Sequence, residues 1–335
     1  MKKKYQTAFF LFGVIVLAIM VSQLDFREAW EGITHAGYWF AAVVGIWVFL
    51  YLFNTTSWML IIRSLCGKRP DVSFSFLYRL TVTGFSLNYA TPGGLMGGEP
   101  YRVMSLAPKI GTEKATSSVI LFTMTHIFSH FWFWLLSVVA FLLTQHLTPL
   151  LVAVMTGIFV FALTGIVVFQ FCYRYGVAMF LLRVLKKFPG LRSRIQGFLD
   201  KHEAQVREID VQISTLQRQN VRILVAAVLL ELVCRILGGL EVYFVLRVLT
   251  DDVSFLQCVL IMAFTSLFAN LLFFIPLQLG GREGGFLMST SAMLMPASHG
   301  IFIGLLIRLR ELIWVAIGLL FIFLTEKKKG KIIDS

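Results

Sequence analysis

Two short runs rich in proline and glycine decide the fold of this chain. The first is P-G-G-L-M-G-G-E at residues 92–99, and the second is P-L-Q-L-G-G-R-E at residues 276–283. Both read P-x-x-L-x-G-x-E, and their starts at 92 and 276 give an offset of 184 residues. Proline removes a backbone donor and ends a helix, whereas glycine permits unusual dihedral angles and close approach of a ligand. Each run therefore predicts a break inside an otherwise apolar segment.

The rest of the chain is strongly apolar. Of its 335 residues, 58% are hydrophobic and 14% are charged, against about 45–50% and about 25% in a soluble domain. This composition excludes a soluble enzyme and a disordered chain. A membrane-spanning helix needs about 20 mainly apolar residues. The candidate spans are 5–24, 37–63, 115–144, 149–173, 222–249 and 301–325. The first follows three lysines without a cleavage site after it, so we interpret it as a retained anchor.

Lysine and arginine are distributed unevenly between the connecting segments. The two ends and the segments 63–69, 102–114 and 174–222 hold 23 of the 30 basic residues. The opposite segments, near 25–36, 145–148 and 250–253, hold only Arg27. Cytoplasmic loops carry the excess of basic residues, so we expect a multi-pass protein of the cytoplasmic membrane with both termini in the cytoplasm. The net charge of +12 thus reflects topology, and we expect no nucleic-acid partner.

This orientation requires an even number of crossings in the two segments that carry the breaks. Residues 63–69 and 102–114 lie on the same side, and the segment 254–298 begins and ends outside. Residues 99–107 would form only about 13 Å of helix, roughly half a bilayer. We therefore predict two re-entrant helical hairpins, the first entering from the cytoplasm and the second from the outside.

The matching breaks in oppositely oriented surroundings predict an inverted repeat, an arrangement that builds transporter sites at the membrane midplane. Repeat 1 covers about 37–144 and repeat 2 about 222–325. A cytoplasmic amphipathic segment at about 183–220 separates them. The predicted fold is a single all-α polytopic membrane domain, 1–335, with about six full transmembrane helices plus two opposed re-entrant helical hairpins.

The breaks and the charges near them form the candidate site. A helix that restarts after a break exposes backbone N–H groups that suit a phosphate or a carboxylate. Glu99 and Glu283 are costly at membrane depth and indicate either function or an ion pair with Arg102 or Arg282 that holds the fold. The candidate lipid- or anion-binding residues are Gly93, Gly94, Gly97, Gly98, Glu99, Arg102, Gly280, Gly281, Arg282, Glu283, Arg308, Arg310 and Glu311. The candidate structural residues of the breaks are Asn88, Pro92 and Pro276.

Other charges lie inside the predicted spans. Glu231 and Arg235 have the i,i+4 spacing of a local ion pair, and we interpret them first as structural. Arg308 and Glu311 are i,i+3 neighbours, which fits either an internal pair or contact with a lipid phosphate. Glu241 has no close partner along its own segment except Arg247 further on.

Two histidines, His126 and His130, share one face of a predicted helix. Their i,i+4 spacing is compatible with a metal, with contact to a lipid headgroup, or with packing among the surrounding aromatic residues, which we favour. We predict no metal, no cofactor and no catalytic residues. Cys66, Cys172, Cys234 and Cys258 are far apart and are interpreted as small apolar fillers.

The run at 92–102, the run at 276–283 and the pattern of spans resemble the flippase-like transmembrane domain family, the membrane region of lysylphosphatidylglycerol synthases. The resemblance implies movement of a lipid or lipid-linked headgroup between leaflets, with anionic or polyprenyl-phosphate-linked membrane lipids as partners. In the synthases a soluble aminoacyl-transfer domain follows. Here the sequence stops at Ser335, so we expect a stand-alone member that does not aminoacylate by itself. A membrane-embedded enzyme acting on a lipid headgroup and a small-anion carrier remain alternatives, and no oligomeric state is predicted.

Overall fold

The computed structural model is helical in all its regular elements. It describes residues 11, 14–15, 18, 21–22, 25–67, 70–90, 97–145, 147–175, 182, 186–187, 192–272 and 281–333. The helices with defined bounds are α1 (Phe26–Ala36), α2 (Tyr38–Cys66), α3 (Phe74–Ala90), α4 (Gly98–Ile110), α5 (Thr112–Thr144), α6 (Pro149–Tyr175), α7 (Arg192–Gln219), α8 (Val221–Leu249), α9 (Phe255–Leu271), α10 (Gly281–Ala292) and α11 (Ala297–Ile333). The prediction of an all-α membrane protein is confirmed.

Four helices of the described part, α2, α5, α6 and α8, are long and apolar enough to cross a membrane. They coincide with four of the predicted spans. The predicted span at 301–325 lies inside α11, where Arg308, Arg310 and Glu311 interrupt the apolar sequence. The predicted first span at 5–24 falls mostly outside the described residues.

Helix α1 is a short amphipathic helix in a segment that the sequence analysis treated as a connection. The carboxylate of Asp25 caps it by accepting hydrogen bonds from the amides of Arg27 and Glu28, at 2.9 and 3.2 Å. Its small face packs on α11, where an added Cβ at Gly32 would lie 3.0 Å from Leu305. Hydropathy misses this helix because four of its first six residues are charged or exposed aromatic side chains.

The chain contains two sets of four helices in the same order. Helices α2 to α5 have 29, 17, 13 and 33 residues, and helices α8 to α11 have 29, 17, 12 and 37. The first set begins at residues 38, 74, 98 and 112, and the second at 221, 255, 281 and 297. Each helix of the second set therefore starts 181 to 185 residues after its counterpart. These offsets bracket the 184 residues that separate the two sequence motifs.

The two sets pack into one bundle. Helix α2 lies along its counterpart α8, α3 packs on α11, and α9 packs on α5. Within each set the two short helices pack on one another, α3 on α4 and α9 on α10. One apolar core contains the stacked rings of Trp58 and Phe122, with centres 5.1 Å apart, and a second contains Phe264 and Ile307. Counterpart helices therefore meet across the centre of the bundle.

Helix α7 covers part of this bundle. It occupies most of the segment predicted to be amphipathic and packs on α5 and α6, with Val206 buried. Its exposed face carries an ion pair between Glu203 and Arg207, at 2.7 Å. Residues 183–185 and 188–191 of the predicted segment lie outside the described part of the chain.

Candidate functional site

A polar cavity of about 410 Å³ lies among helices of both sets. Three carboxylates line it, those of Glu99, Glu231 and Glu241. Four guanidinium groups line it as well, those of Arg102, Arg235, Arg282 and Arg310. Its volume falls within the range of about 300–1,000 Å³ that small-molecule sites occupy. Seven charged side chains around one cavity are exceptional in a membrane domain, where each charge is costly unless it is paired.

Arg102 of α4 is the most deeply enclosed of these charges in the first set. Its side chain is 2% exposed, and it donates to Glu99 Oε1 at 3.2 Å and to the carbonyl oxygen of Thr81 at 3.3 Å. The guanidinium carbon lies 4.7 Å from the ring centre of Phe85 and 5.3 Å from that of Phe122. Ion pairing and cation–π contacts together stabilise the buried charge.

Gly84 of α3 leaves the space that the Arg102 guanidinium occupies. A Cβ added at Gly84 would lie 2.7 Å from Cζ of Arg102 and closer still to its Nε. Any side chain at residue 84 would therefore displace the guanidinium from its position against Glu99 and Phe85.

Asn88 connects the two helices on either side of the first break. Its Oδ1 accepts from the amide of Gly98 at 2.7 Å, and its Nδ2 donates to Glu99 Oε1 at 3.0 Å. The first contact satisfies one of the unpaired amides at the start of α4, as a capping residue does. Gly98 is required for this close approach, because an added Cβ would lie 2.6 Å from the Asn88 oxygen.

The second helix pair is held to α11 by two ion pairs. Glu283 of α10 accepts from Nη1 of Arg308 at 2.5 Å, and Arg282 pairs with Glu311. Arg308 and Glu311 thus do not pair with each other along α11, as one sequence interpretation had it, and Glu283 does not pair with its neighbour Arg282. Both alternatives are wrong because α10 lies against the charged face of α11 and offers better placed partners.

Glu241 of α8 finds its partner on another helix. Its Oε1 accepts from Nε of Arg310 at 2.5 Å, and both side chains are at most 2% exposed. The Arg310 guanidinium also lies over Trp47, with its carbon 4.1 Å from the ring centre. The sequence showed Glu241 without a close partner along its own helix, and the fold supplies one from the second set.

A third polar cluster joins α8 to α5 and α2. Nδ1 of His126 lies 2.8 Å from Oε2 of Glu231, which also accepts from Nδ2 of Asn54 at 3.0 Å. Arg235 donates to Oγ of Ser129 at 2.7 Å and to the carbonyl oxygen of His126 at 2.5 Å. The interpretation of Glu231 and Arg235 as a local ion pair is wrong, because both side chains reach across to α5.

The histidine pair is divided between different partners. His126 contacts Glu231, whereas the ring of His130 lies against Trp134, with centres 5.2 Å apart. Among the described residues, no group of three or more His, Cys, Asp or Glu side chains is arranged to hold a metal ion. His126 is thus an ionisable group at the cavity wall, and His130 packs among aromatic rings.

The two sets meet at the cavity through Tyr89 and Arg282. Tyr89 is the next-to-last residue of α3, and Arg282 is the second residue of α10. The guanidinium carbon of Arg282 lies 5.8 Å from the centre of the Tyr89 ring. The end of one short helix therefore contacts the beginning of the other, next to the sequence breaks.

The structure places the candidate residues unevenly. Glu99, Arg102, Arg282 and Arg310 line the cavity, whereas Glu283, Arg308 and Glu311 connect α10 to α11. Gly97, Gly98 and Gly281 are buried at or next to the start of the helices that follow the breaks. Pro92, Gly93, Gly94, Pro276 and Gly280 lie outside the described residues. The sequence analysis did not select Glu231, Glu241 or His126 for the site, although each is a polar residue inside an apolar span, which is the signal that identifies them.

The fold and the cavity define a class of protein, an all-helical membrane protein with a charged internal site. The sequence profile described as the lysylphosphatidylglycerol synthase TM region matches residues 6–318, nearly the whole chain. The protein belongs to this family, which relates it to the handling of lipids in the membrane. No curated protein and no solved structure was found to match the chain.

Proposed function

We propose that the protein is a lipid flippase, which moves an anionic phospholipid or a polyprenyl-phosphate-linked headgroup between the leaflets of the cytoplasmic membrane. The observation that carries this proposal is the cavity itself, where four arginine side chains from both sets of helices surround one space. Guanidinium groups match the oxygens of a phosphate in geometry and charge, which makes arginine the preferred phosphate ligand.

The repeated helices support an inverted repeat with two re-entrant hairpins. Helices α3 and α9 have 17 residues each, about 25 Å, and α4 and α10 have 13 and 12, about 18–20 Å. Each is shorter than the hydrocarbon core of about 30 Å. The basic residues of 63–69 and 102–114 favour a cytoplasmic entrance for the α3–α4 hairpin, and the acidic connection before α9 favours an outer entrance for the α9–α10 hairpin.

The size of the cavity fits a headgroup better than a whole lipid. About 410 Å³ is at the lower end of the range for drug-sized ligands. A lipid would thus place its phosphate among the arginines and keep its acyl chains in the bilayer. The charged headgroup would cross the hydrocarbon core in a polar enclosure, which removes most of the cost of its passage.

Reconstitution tests this function. The full-length protein is placed in vesicles that contain fluorescent phosphatidylglycerol, and a membrane-impermeant reductant measures the fraction of probe in the outer leaflet. We expect exchange at least about tenfold faster than in protein-free vesicles, corresponding to about 1.4 kcal/mol in the barrier. Unchanged exchange of phosphatidylglycerol and of a fluorescent polyprenyl phosphate would refute the proposal. Chemical conversion of either probe would instead identify a membrane-embedded enzyme.

Glycine variants connect the exchange to the cavity. Gly238 lines the cavity, and an added Cβ there would meet no atom within 4 Å. Gly238→Leu should therefore fill the site without disturbing the bundle and reduce exchange by about tenfold or more. Gly157→Leu is the matched control, because Gly157 is exposed on α6 and its Cβ would also meet nothing within 4 Å. Equal exchange by the two variants would show that lipid does not pass through this cavity.

A further inference from the structure

The buried charges of the site balance when the histidines are neutral. Four carboxylates belong to the cavity and its direct ion pairs, those of Glu99, Glu231, Glu241 and Glu311. Four guanidinium groups accompany them, those of Arg102, Arg235, Arg282 and Arg310. The remaining pair, Glu283 with Arg308, is neutral by itself. The site without a ligand therefore carries no net charge.

An anionic headgroup entering this site would add one uncompensated negative charge. In surroundings of low dielectric constant such a charge is costly even when single contacts are favourable. A proton taken up at the same time would restore neutrality. The site therefore favours a ligand that arrives with a proton, provided that a titratable group lies at the cavity wall.

His126 is that group. Its side chain is 26% exposed and lines the cavity, whereas its partner Glu231 is 1% exposed. When Glu231 is ionised, Nδ1 of His126 must carry the hydrogen of their 2.8 Å contact. Nε2 then holds the lone pair and is the position at which the ring accepts a proton.

The groups around His126 make protonation depend on the ligand. Those from the neighbouring helices are Glu231 and Arg235 of α8, Arg102 of α4, His130 of α5, Asn54 and Phe85 of α2 and α3, and Tyr173 of α6, which contacts the adjacent Thr125. Two arginines thus oppose a proton on His126, and one carboxylate favours it. An anion bound at Arg102 would offset that repulsion, so that the anion and the proton favour each other's binding.

We propose that each anionic headgroup binds together with one proton held by the pair of His126 and Glu231, and that lipid movement by this protein is coupled to protons. The inference rests on the proposed function. A hydronium ion transfers its proton to Nε2 of His126, a new N–H bond forms, and a water molecule remains. The resulting imidazolium stays next to the ionised Glu231. The proton leaves as the headgroup leaves, on the other side of the membrane.

Binding as a function of pH tests the coupling directly. Short-chain phosphatidylglycerol is titrated into the purified full-length protein from about pH 6 to about pH 9, a range in which its phosphodiester charge does not change. Uptake of one proton predicts that the affinity falls by up to about tenfold per pH unit on the alkaline side. Affinity that is measurable but constant over this range would overturn the coupling and leave the proposed function intact. Absence of both binding and leaflet exchange would overturn both.

Two substitutions should act in opposite directions. His126→Gln removes the proton acceptor, so binding should stay at the weak alkaline level of the wild type at every pH. Glu231→Gln removes one negative charge permanently, so binding should stay near the strong acidic level. His35→Gln, on exposed α1, is the matched control and should keep the wild-type pH profile. A merely structural role of the pair would weaken binding in both variants, and that result would contradict the proposal.

Discussion

Arg310 of α11 donates from Nε to Oε1 of Glu241 on α8 across 2.5 Å, and both side chains are buried. This pair connects the first and the last helix of the second set at the wall of the cavity. Two buried opposite charges tolerate burial together, whereas either alone is an uncompensated charge. The pair therefore holds the helices that enclose the site and keeps a guanidinium in it.

Removal of one partner should destabilise the protein strongly. We expect Glu241→Met to lower the free energy of unfolding by about 3–5 kcal/mol, because Arg310 loses its counter-charge. The double variant Glu241→Met with Arg310→Met should recover most of this loss and still lack lipid exchange. Unfolding in detergent measures the stability. A double variant as unstable as the single one would contradict this explanation of the pair.

Gly84 should be intolerant of even one methyl group. Gly84→Ala places a Cβ within 2.7 Å of Cζ of Arg102, so overpacking should cost about 1–3 kcal/mol. The displaced guanidinium should also weaken binding of short-chain phosphatidylglycerol. Gly157→Ala, with open space around it, should keep or slightly raise stability through its higher helix propensity. Equal stability and binding of the two variants would show that Arg102 is not held by this contact.

Asn88 should control the order of the helix that follows the first break. Asn88→Ala removes the acceptor for the Gly98 amide, and loss of such a cap costs about 1 kcal/mol. We expect faster hydrogen exchange in the first turn of α4, measured by mass spectrometry of the peptide around residues 98–104. Asn270→Ala is the control, because Asn270 donates only to Ser266 of its own helix among its described contacts. Unchanged exchange in Asn88→Ala would rule out its role as a cap.

The sequence predicts the helices and their repetition well because both depend on local signals. An apolar stretch of about 20 residues identifies a span without knowledge of its neighbours. The two short motifs have the same offset as the helices that surround them. Helix α1 escaped prediction for the same reason, because its Arg27, Glu28 and Glu31 remove the apolar signal from an 11-residue helix. Its capping residue, Asp25, is the signal that indicates its start.

The partners of the charged residues were harder to predict because they depend on packing between distant helices. Glu231 and Arg235 have ideal spacing for a local pair, yet α5 offers His126 and Ser129 at hydrogen-bonding distance. A buried carboxylate gains more from several enclosed partners than from one neighbour on the same helix. Spacing along one helix therefore identified which residues matter, and only the fold showed what they contact.

The central claim is that the two hairpins enter the membrane from opposite faces and meet at the charged cavity. Ser75 near the start of α3 and Ser298 near the start of α11 are both exposed and suit single cysteines. In a chain whose four native cysteines are replaced by alanine, a membrane-impermeant maleimide is added to intact cells and to inside-out vesicles. We expect Ser75→Cys to react only from the cytoplasmic face and Ser298→Cys only from the outer face. Reaction of both cysteines from the same face would contradict the account.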